Sequence, residues 1–110
     1  MKKEDIYMLV KKCVELLVSG NLLEIDKSGM NGRLSLEEVR HALSEYPGEL
    51  TIPPADAYER MHIYERAPTG WQNVEFELWY NGNESDLTLS VRVREISGRG
   101  ELQIMDIHVL

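Results

Sequence analysis

The sequence is poor in cysteine, in cationic side chains and in long apolar runs. Cys13 is the single cysteine among 110 residues, which excludes an intrachain disulfide and a cysteine-based zinc site. The 19 acidic side chains outnumber the 12 basic ones, and the formal net charge is -7. Nucleic-acid binding needs a cationic surface, so this balance argues against DNA or RNA as a partner.

No targeting or membrane-spanning segment is visible either. Charged residues at Glu4, Asp5, Lys11 and Lys12 interrupt the apolar residues near the N-terminus. A signal peptide needs an unbroken apolar stretch of about 7–15 residues, and a spanning helix needs about 20. We therefore expect a cytoplasmic protein with a reduced thiol and no membrane partner.

What is present suits one domain over residues 1–110, because apolar residues make up 43% of the chain. Two helices are predicted in the N-terminal half, from Asp5 to Gly20 and from Ser35 to Tyr46. The first carries apolar residues at helical spacing. The second begins with a capping box, in which Ser35 and Glu38 satisfy each other's free amides.

The C-terminal part predicts an antiparallel β-meander. Apolar and polar residues alternate over 74–80 and over 87–93, which gives each strand one buried and one exposed face. Turns are predicted at 81–85 and 97–100, and a change of phase near Ile104-Met105 indicates a β-bulge. Shorter pieces precede the meander: an extended stretch over 50–54, a helical turn over 55–60, a strand over 61–66 and a turn over 67–70.

Together these elements predict an α+β domain, with two N-terminal helices packed on a bent antiparallel sheet of about four strands. Such a sheet is similar to the cystatin-like and half-barrel folds. Folds of this kind host many functions, so the function has to be argued from a site.

The main candidate site lies on one face of the predicted first hairpin. Glu75, Glu77 and Trp79 share one parity of their strand, and Glu84 and Asp86 follow in the turn and the next strand. An exposed tryptophan is often a binding anchor, and complementary charge speeds the encounter with a basic protein. These five residues are therefore predicted to bind a partner. The alternatives are that Trp79 is covered by a helix or loop and that the acidity serves solubility alone.

A second hypothesis is a small enzyme or ligand carrier with a pocket between sheet and helix. Its candidate residues are Asp86, His62, His108 and Tyr80. The sequence contains no nucleophile elbow, phosphate loop or dinucleotide fingerprint, so we predict no catalytic residue, metal ligand or cofactor. Cys13 lies on the apolar stripe of the first helix, where core packing is the preferred interpretation.

A third hypothesis is calcium binding, since residues 26–38 resemble an EF-hand loop with one extra residue, Met30. Every ligand of an EF-hand comes from a fixed backbone position. The insertion would therefore move Asp26 and Ser28 away from the ion. The preferred interpretation is a glycine-rich loop that ends in a helix cap.

Several short motifs resemble a family of small, mostly uncharacterised bacterial proteins. They are Gly32-Arg33-Leu34-Ser35, Tyr46-Pro47-Gly48, Pro53-Pro54, Leu78-Trp79, Ser85-Asp86-Leu87-Thr88-Leu89 and Asp106-Ile107-His108-Val109. This resemblance implies no established activity and carries over no catalytic residue.

In size and acidity the chain is also similar to the immunity proteins encoded beside bacterial toxins, such as those of contact-dependent growth inhibition. That resemblance implies binding and neutralisation of a toxin domain, frequently a basic nuclease. The predicted function is therefore that of a small acidic protein-binding module, not an enzyme, whose partner is a basic toxin domain.

Overall fold

The computed structural model describes residues 1–109 and confirms an α+β fold with a C-terminal meander. Three α-helices come first: α1 (Lys3–Ser19), α2 (Leu22–Lys27) and α3 (Leu36–Glu45). They are followed by β1 (Leu50–Thr51), a 3₁₀ helix (Ala55–Arg60), β2 (His62–Arg66), β3 (Gln72–Tyr80), β4 (Asn83–Ile96) and β5 (Arg99–Val109). The fold thus has one α-helix and one strand more than predicted. No helix within residues 1–109 is both long enough and apolar enough to cross a membrane.

The five strands form one antiparallel sheet with β3 and β4 at its centre. β5 pairs with the other side of β4. The short strands β1 and β2 pair with opposite ends of β3, β1 at Trp79 and Tyr80 and β2 from Gln72 to Glu75. The outer edge of β3 is therefore covered by two short strands, and β5 forms the opposite edge of the sheet.

Both hairpin turns are shorter than predicted. Asn81 and Gly82 alone join β3 to β4, and Ser97 and Gly98 alone join β4 to β5. The two residues of each turn have positive φ, 53° and 75° in the first and 53° and 78° in the second. Turns with this backbone conformation match the twist of paired strands. The predicted loops over 81–85 and 97–100 were therefore too long, and the remaining residues belong to strands.

Two irregularities interrupt the pairing of β4 with β5 and β3, and a third lies between β2 and β3. The predicted bulge near Ile104-Met105 is confirmed, since Met105 is an extra residue between the pairs Val91–Ile104 and Ser90–Asp106. The second irregularity was not predicted: three residues of β4, 85–87, lie opposite Leu78 alone. A bulge of this kind bends a strand and redirects its side chains.

The helices cover one face of the sheet and enclose the core. Five side chains of α1 are buried there: Ile6, Val10, Cys13, Val14 and Leu17. In the 3₁₀ helix, Tyr58 stacks on Phe76 with ring centroids 5.0 Å apart. The hydroxyl of Tyr80 donates a hydrogen bond to the Leu43 carbonyl of α3 at 2.7 Å. These contacts fix the position of the helices on the sheet.

The unpredicted helix α2 lies between Gly20 and Gly29. The Asn21 side chain accepts a hydrogen bond from the Glu24 amide at 3.3 Å, which caps the first turn. Ile25 is fully buried and anchors the helix in the core. Six residues are too few for a helix to be stable alone, so tertiary packing explains this one.

The loop after α2 packs against the edge of β5. The Met30 side chain is buried, and its carbonyl accepts a hydrogen bond from the Ile104 amide at 2.7 Å. Gly32 has a φ of 56°, and a Cβ there would lie 3.0 Å from the Ile104 carbonyl oxygen. Glycine is therefore required for this close approach. The inserted residue of the EF-hand resemblance is thus the one that docks the loop on the sheet.

Candidate functional site

The face of the sheet opposite to the helices, here called the outer face, carries four of the five predicted binding residues. Glu75, Glu77 and Trp79 alternate along β3 with buried core residues, and all three are half-buried. Glu84 is exposed and lies directly opposite Trp79 on β4. We call these four residues the outer acidic patch.

The carboxylates of this patch have different neighbours. Glu75 accepts a hydrogen bond from the Tyr64 hydroxyl at 2.7 Å, and this bond raises the pKa of that hydroxyl above its ordinary value. Glu84 lies 3.5 Å from a guanidinium nitrogen of Arg60. The Glu77 side chain takes part in none of the side-chain hydrogen bonds and ion pairs found within residues 1–109. Glu77 therefore presents a carboxylate that no neighbouring side chain neutralises.

Trp79 is neither a fully exposed anchor nor a fully covered residue, which were the two predicted alternatives. Its indole is half-buried and packs against the periphery of the core. The indole nitrogen is buried and has no hydrogen-bond partner within the described chain. The exposed part of the ring can therefore add apolar contact area, whereas its N–H group does not face solvent.

Asp86, the fifth predicted residue, does not join the outer acidic patch. Its carboxylate accepts a hydrogen bond from the Tyr46 hydroxyl at 2.6 Å, which raises the pKa of that hydroxyl. Tyr46 directly follows α3, and its ring lies 4.6 Å from that of Tyr80 on the helix side of the sheet. The unpredicted bulge in β4 is the physical reason, because it breaks the alternation that the prediction assumed.

Asp86 instead lines a groove of about 770 Å³ between α3 and the ends of β4 and β5, here called the α3 groove. Its apolar lining consists of Leu34, Ala42, Tyr46, Pro47, Leu87, Ile107 and Val109. Its titratable lining consists of Glu38, Glu45, Asp86, Asp106, His41 and His108. None of the lysines or arginines of the described chain lines this groove.

Only two of the four candidate residues of the enzyme hypothesis line the same groove. Asp86 and His108 line the α3 groove. His62 lies against Tyr64 with ring centroids 4.2 Å apart, and the Tyr80 hydroxyl is occupied by α3. A carboxylate oxygen of Asp106 lies 3.1 Å from Nδ1 of His108, but the two atoms are not oriented for a hydrogen bond.

A cationic cluster that was not predicted occupies the other end of the outer face. The guanidinium groups of Arg92 and Arg94 lie 4.1 Å and 4.0 Å from the centre of the Trp71 ring. Arg92 also donates to Gln103 at 2.7 Å, and Arg94 lies 3.3 Å from Glu101. The signal in the sequence was the shared parity of Arg92 and Arg94 on one strand, opposite a tryptophan.

Two polar side chains of the EF-hand-like segment, Ser35 and Glu38, cap the start of α3. The predicted capping box is present, with the Ser35 amide 2.9 Å from Glu38 Oε1 and the Glu38 amide 3.0 Å from Ser35 Oγ. Among residues 1–109, no group of three or more His, Cys, Asp or Glu side chains could hold a metal ion.

A family model described as a domain of unknown function (DUF7668) matches residues 14–110. No curated protein and no solved structure matches the chain. The match begins within α1 and includes every later element of the fold. Because it covers most of the chain, the protein belongs to this family of unknown function.

Proposed function

We propose that this protein is a non-enzymatic binding module whose outer acidic patch engages a basic protein. The observation that carries the proposal is a separation of charge along the outer face. Glu77 and Glu84 lie toward the β3–β4 turn, whereas Arg92 and Arg94 lie at the far end. The patch therefore presents negative charge to a partner at one end of the sheet.

The two ends also differ in how far their charges are compensated. Arg92 and Arg94 share the Trp71 ring and each contacts a polar side chain of β5. Glu77 is surrounded by no comparable set of partners. An uncompensated carboxylate attracts a cationic surface more strongly, which raises the rate of encounter and disfavours acidic partners.

The partner class that we propose is a toxin domain with a basic functional surface, neutralised by occlusion as in immunity proteins. A nuclease needs cationic side chains to bind phosphates. Carboxylates spaced along a strand can occupy those side chains in place of phosphates. The net charge of -7 and the small size of the chain also support this class.

An enzyme or ligand carrier is the second candidate function, supported by the volume of the α3 groove and by Asp86 and His108 in its lining. It ranks lower because Asp86 is engaged by Tyr46, and a general base has to reach its substrate within hydrogen-bond distance. Calcium binding ranks third, because Ser35 and Glu38 already bond to the backbone of α3. An unchanged tryptophan fluorescence on titration to millimolar calcium would remove it.

The main test uses the protein encoded by the gene adjacent to its own, immobilised for surface plasmon resonance. We expect binding whose association rate falls as the salt concentration rises. The double variant Glu75→Lys/Glu77→Lys should lower that rate by about tenfold or more. Glu15→Lys/Glu24→Lys is the matched control, since it makes the same charge change on exposed helix positions. An acidic neighbour, or one that binds equally well to both variants, contradicts the proposal.

A further inference from the structure

The floor of the α3 groove is apolar and not fully covered. Ile107 and Val109 pair with Leu89 and Leu87, so their side chains face the helix side of the sheet. Ile107 is buried there, but Val109 is 53% exposed. Covering such a surface is favourable for an apolar side chain of a partner.

The rim of the groove is acidic. Glu38 and Glu45 belong to α3 and Asp86 to β4, whereas the Asp106 carboxylate lies at the edge of β5, where it accepts a hydrogen bond from the Ile107 amide. Four carboxylates thus border an apolar floor, and the lining contains two histidines but no lysine or arginine of residues 1–109. Charge complementarity selects a segment in which cationic and apolar side chains are close together.

The neighbouring edge of β5 does not readily accept another strand, because two of its amide groups already donate hydrogen bonds. The Ile104 amide donates to the Met30 carbonyl at 2.7 Å, and the Ile107 amide donates to the carboxylate of Asp106 at 2.8 Å. A partner strand would have to displace both bonds before it could extend the sheet here. Recognition at this place therefore depends on side chains that enter the groove.

We infer that the α3 groove is the docking site for a segment of the basic partner in which lysine or arginine side chains alternate with apolar ones. The inference rests on the proposed function and adds a second contact surface to it. Glu84 of the outer acidic patch and Asp86 of the groove are two residues apart in β4. A single partner can therefore contact both surfaces around the end of the sheet.

The test measures fluorescence anisotropy with the full chain and three short labelled peptides. Lysine alternates with leucine in the first, lysine with serine in the second, and glutamate with leucine in the third. We expect the lysine–leucine peptide to bind at least about tenfold more tightly than the lysine–serine peptide, because only the first also covers the floor. The glutamate–leucine peptide should not bind. Equal binding of the first two peptides, or no binding of the first at millimolar concentration, overturns the inference.

Variants of α3 locate the site. Ala42→Arg places a large cationic side chain in the groove, and Glu45→Lys reverses one charge on its rim. Each should weaken binding of the lysine–leucine peptide by about tenfold. Glu37→Lys is the matched control, because Glu37 is exposed on the same helix but does not line the groove. Thermal melts show whether each variant is folded. If Ala42→Arg does not fold, Glu45→Lys alone is enough to test the location of the site.

The outer-face variant separates this inference from the proposed function. Glu75→Lys/Glu77→Lys should weaken binding of the lysine–leucine peptide no more than Glu15→Lys/Glu24→Lys does, because the two double variants change the net charge equally and none of the four residues lines the groove. A loss in this variant with no loss in Glu45→Lys places the peptide on the outer acidic patch and overturns the groove assignment. A peptide that binds the groove while the adjacent gene product does not bind overturns the proposed function alone.

Discussion

The two faces of the sheet are built from alternate residues of the same strands, but different interactions hold their side chains in place. On the helix side, Val74, Leu89 and Val91 are fully buried beneath the helices. On the outer face, polar and charged side chains cover one another, as where the guanidinium groups of Arg92 and Arg94 both lie over the Trp71 ring.

Under the proposed function, one face of the sheet supplies stability and the other supplies the contacts with a partner. Apolar burial on the helix side supplies most of the stability and is insensitive to the exact charges outside. The outer face can therefore hold uncompensated carboxylates, such as Glu77, at little cost to the fold. The charge pattern of the outer face can therefore change while the core stays the same.

The largest expected effect comes from adjacent residues that face opposite sides. Leu78→Ala should lower the free energy of unfolding by about 2–5 kcal/mol, because Leu78 is fully buried and leaves a cavity. Glu77→Ala should change it by less than about 0.5 kcal/mol, as surface substitutions usually do. Urea denaturation measures both values. Similar losses in the two variants would break the comparison between the faces.

A medium effect is expected from pH, because Cys13 is buried on the helix side. Burial raises the pKa of its thiol from 9.0 to about 12. Below pH 9 the thiol is protonated in both states, but between pH 9 and 12 only the unfolded chain loses the proton. Raising the pH from 8 to 10 should therefore lower the free energy of unfolding by about 1–2 kcal/mol.

The control for this prediction is Cys13→Ala, whose stability should depend less on pH over the same interval. Native Cys13 should also resist thiol reagents at pH 8 and react once urea unfolds the chain. Rapid modification of the folded protein would show that α1 opens easily and that the helix side is less tightly packed than the full burial of Cys13 indicates.

The smallest effect compares two buried tyrosines on the helix side. Burial raises the pKa of both Tyr58 and Tyr80 to about 12, but only the Tyr80 hydroxyl has a hydrogen-bond partner. Tyr80→Phe should therefore cost about 1 kcal/mol, whereas Tyr58→Phe should be neutral or slightly stabilising. Thermal denaturation measures the pair. A greater loss for Tyr58→Phe would mean that its hydroxyl makes a bond in solution.

Local signals predicted much of this fold. The capping box of Ser35 and Glu38 and the bulge at Met105 are present where the pattern placed them. The turn at Asn81-Gly82 also carried a strong local signal, since this dipeptide favours two-residue hairpin turns. The loop was nevertheless predicted to extend to Ser85, although Asn83 and Glu84 pair with Tyr80 and Trp79 of β3 and Ser85 belongs to the bulge of β4.

Other features depended on contacts between distant parts of the chain. α2 is too short to be stable alone and forms because Ile25 is buried in the core. The Asp86 side chain faces α3 because the bulge of β4 redirects it and the Tyr46 hydroxyl donates a hydrogen bond to its carboxylate. Both the burial of Ile25 in the core and the bond between Tyr46 and Asp86 join residues that are far apart in the sequence, so local patterns could not predict them.

The sequence by itself determined which side chains lie on each face of β3, because side-chain direction in a strand alternates as a local property of the backbone. It also determined the acidity of the chain and the start of α3. Only the tertiary structure decided that the five predicted binding residues divide between two surfaces and that an acidic groove forms beside α3. Those outcomes depend on how a helix near the middle of the chain packs on the ends of β4 and β5, which is a property of the whole fold.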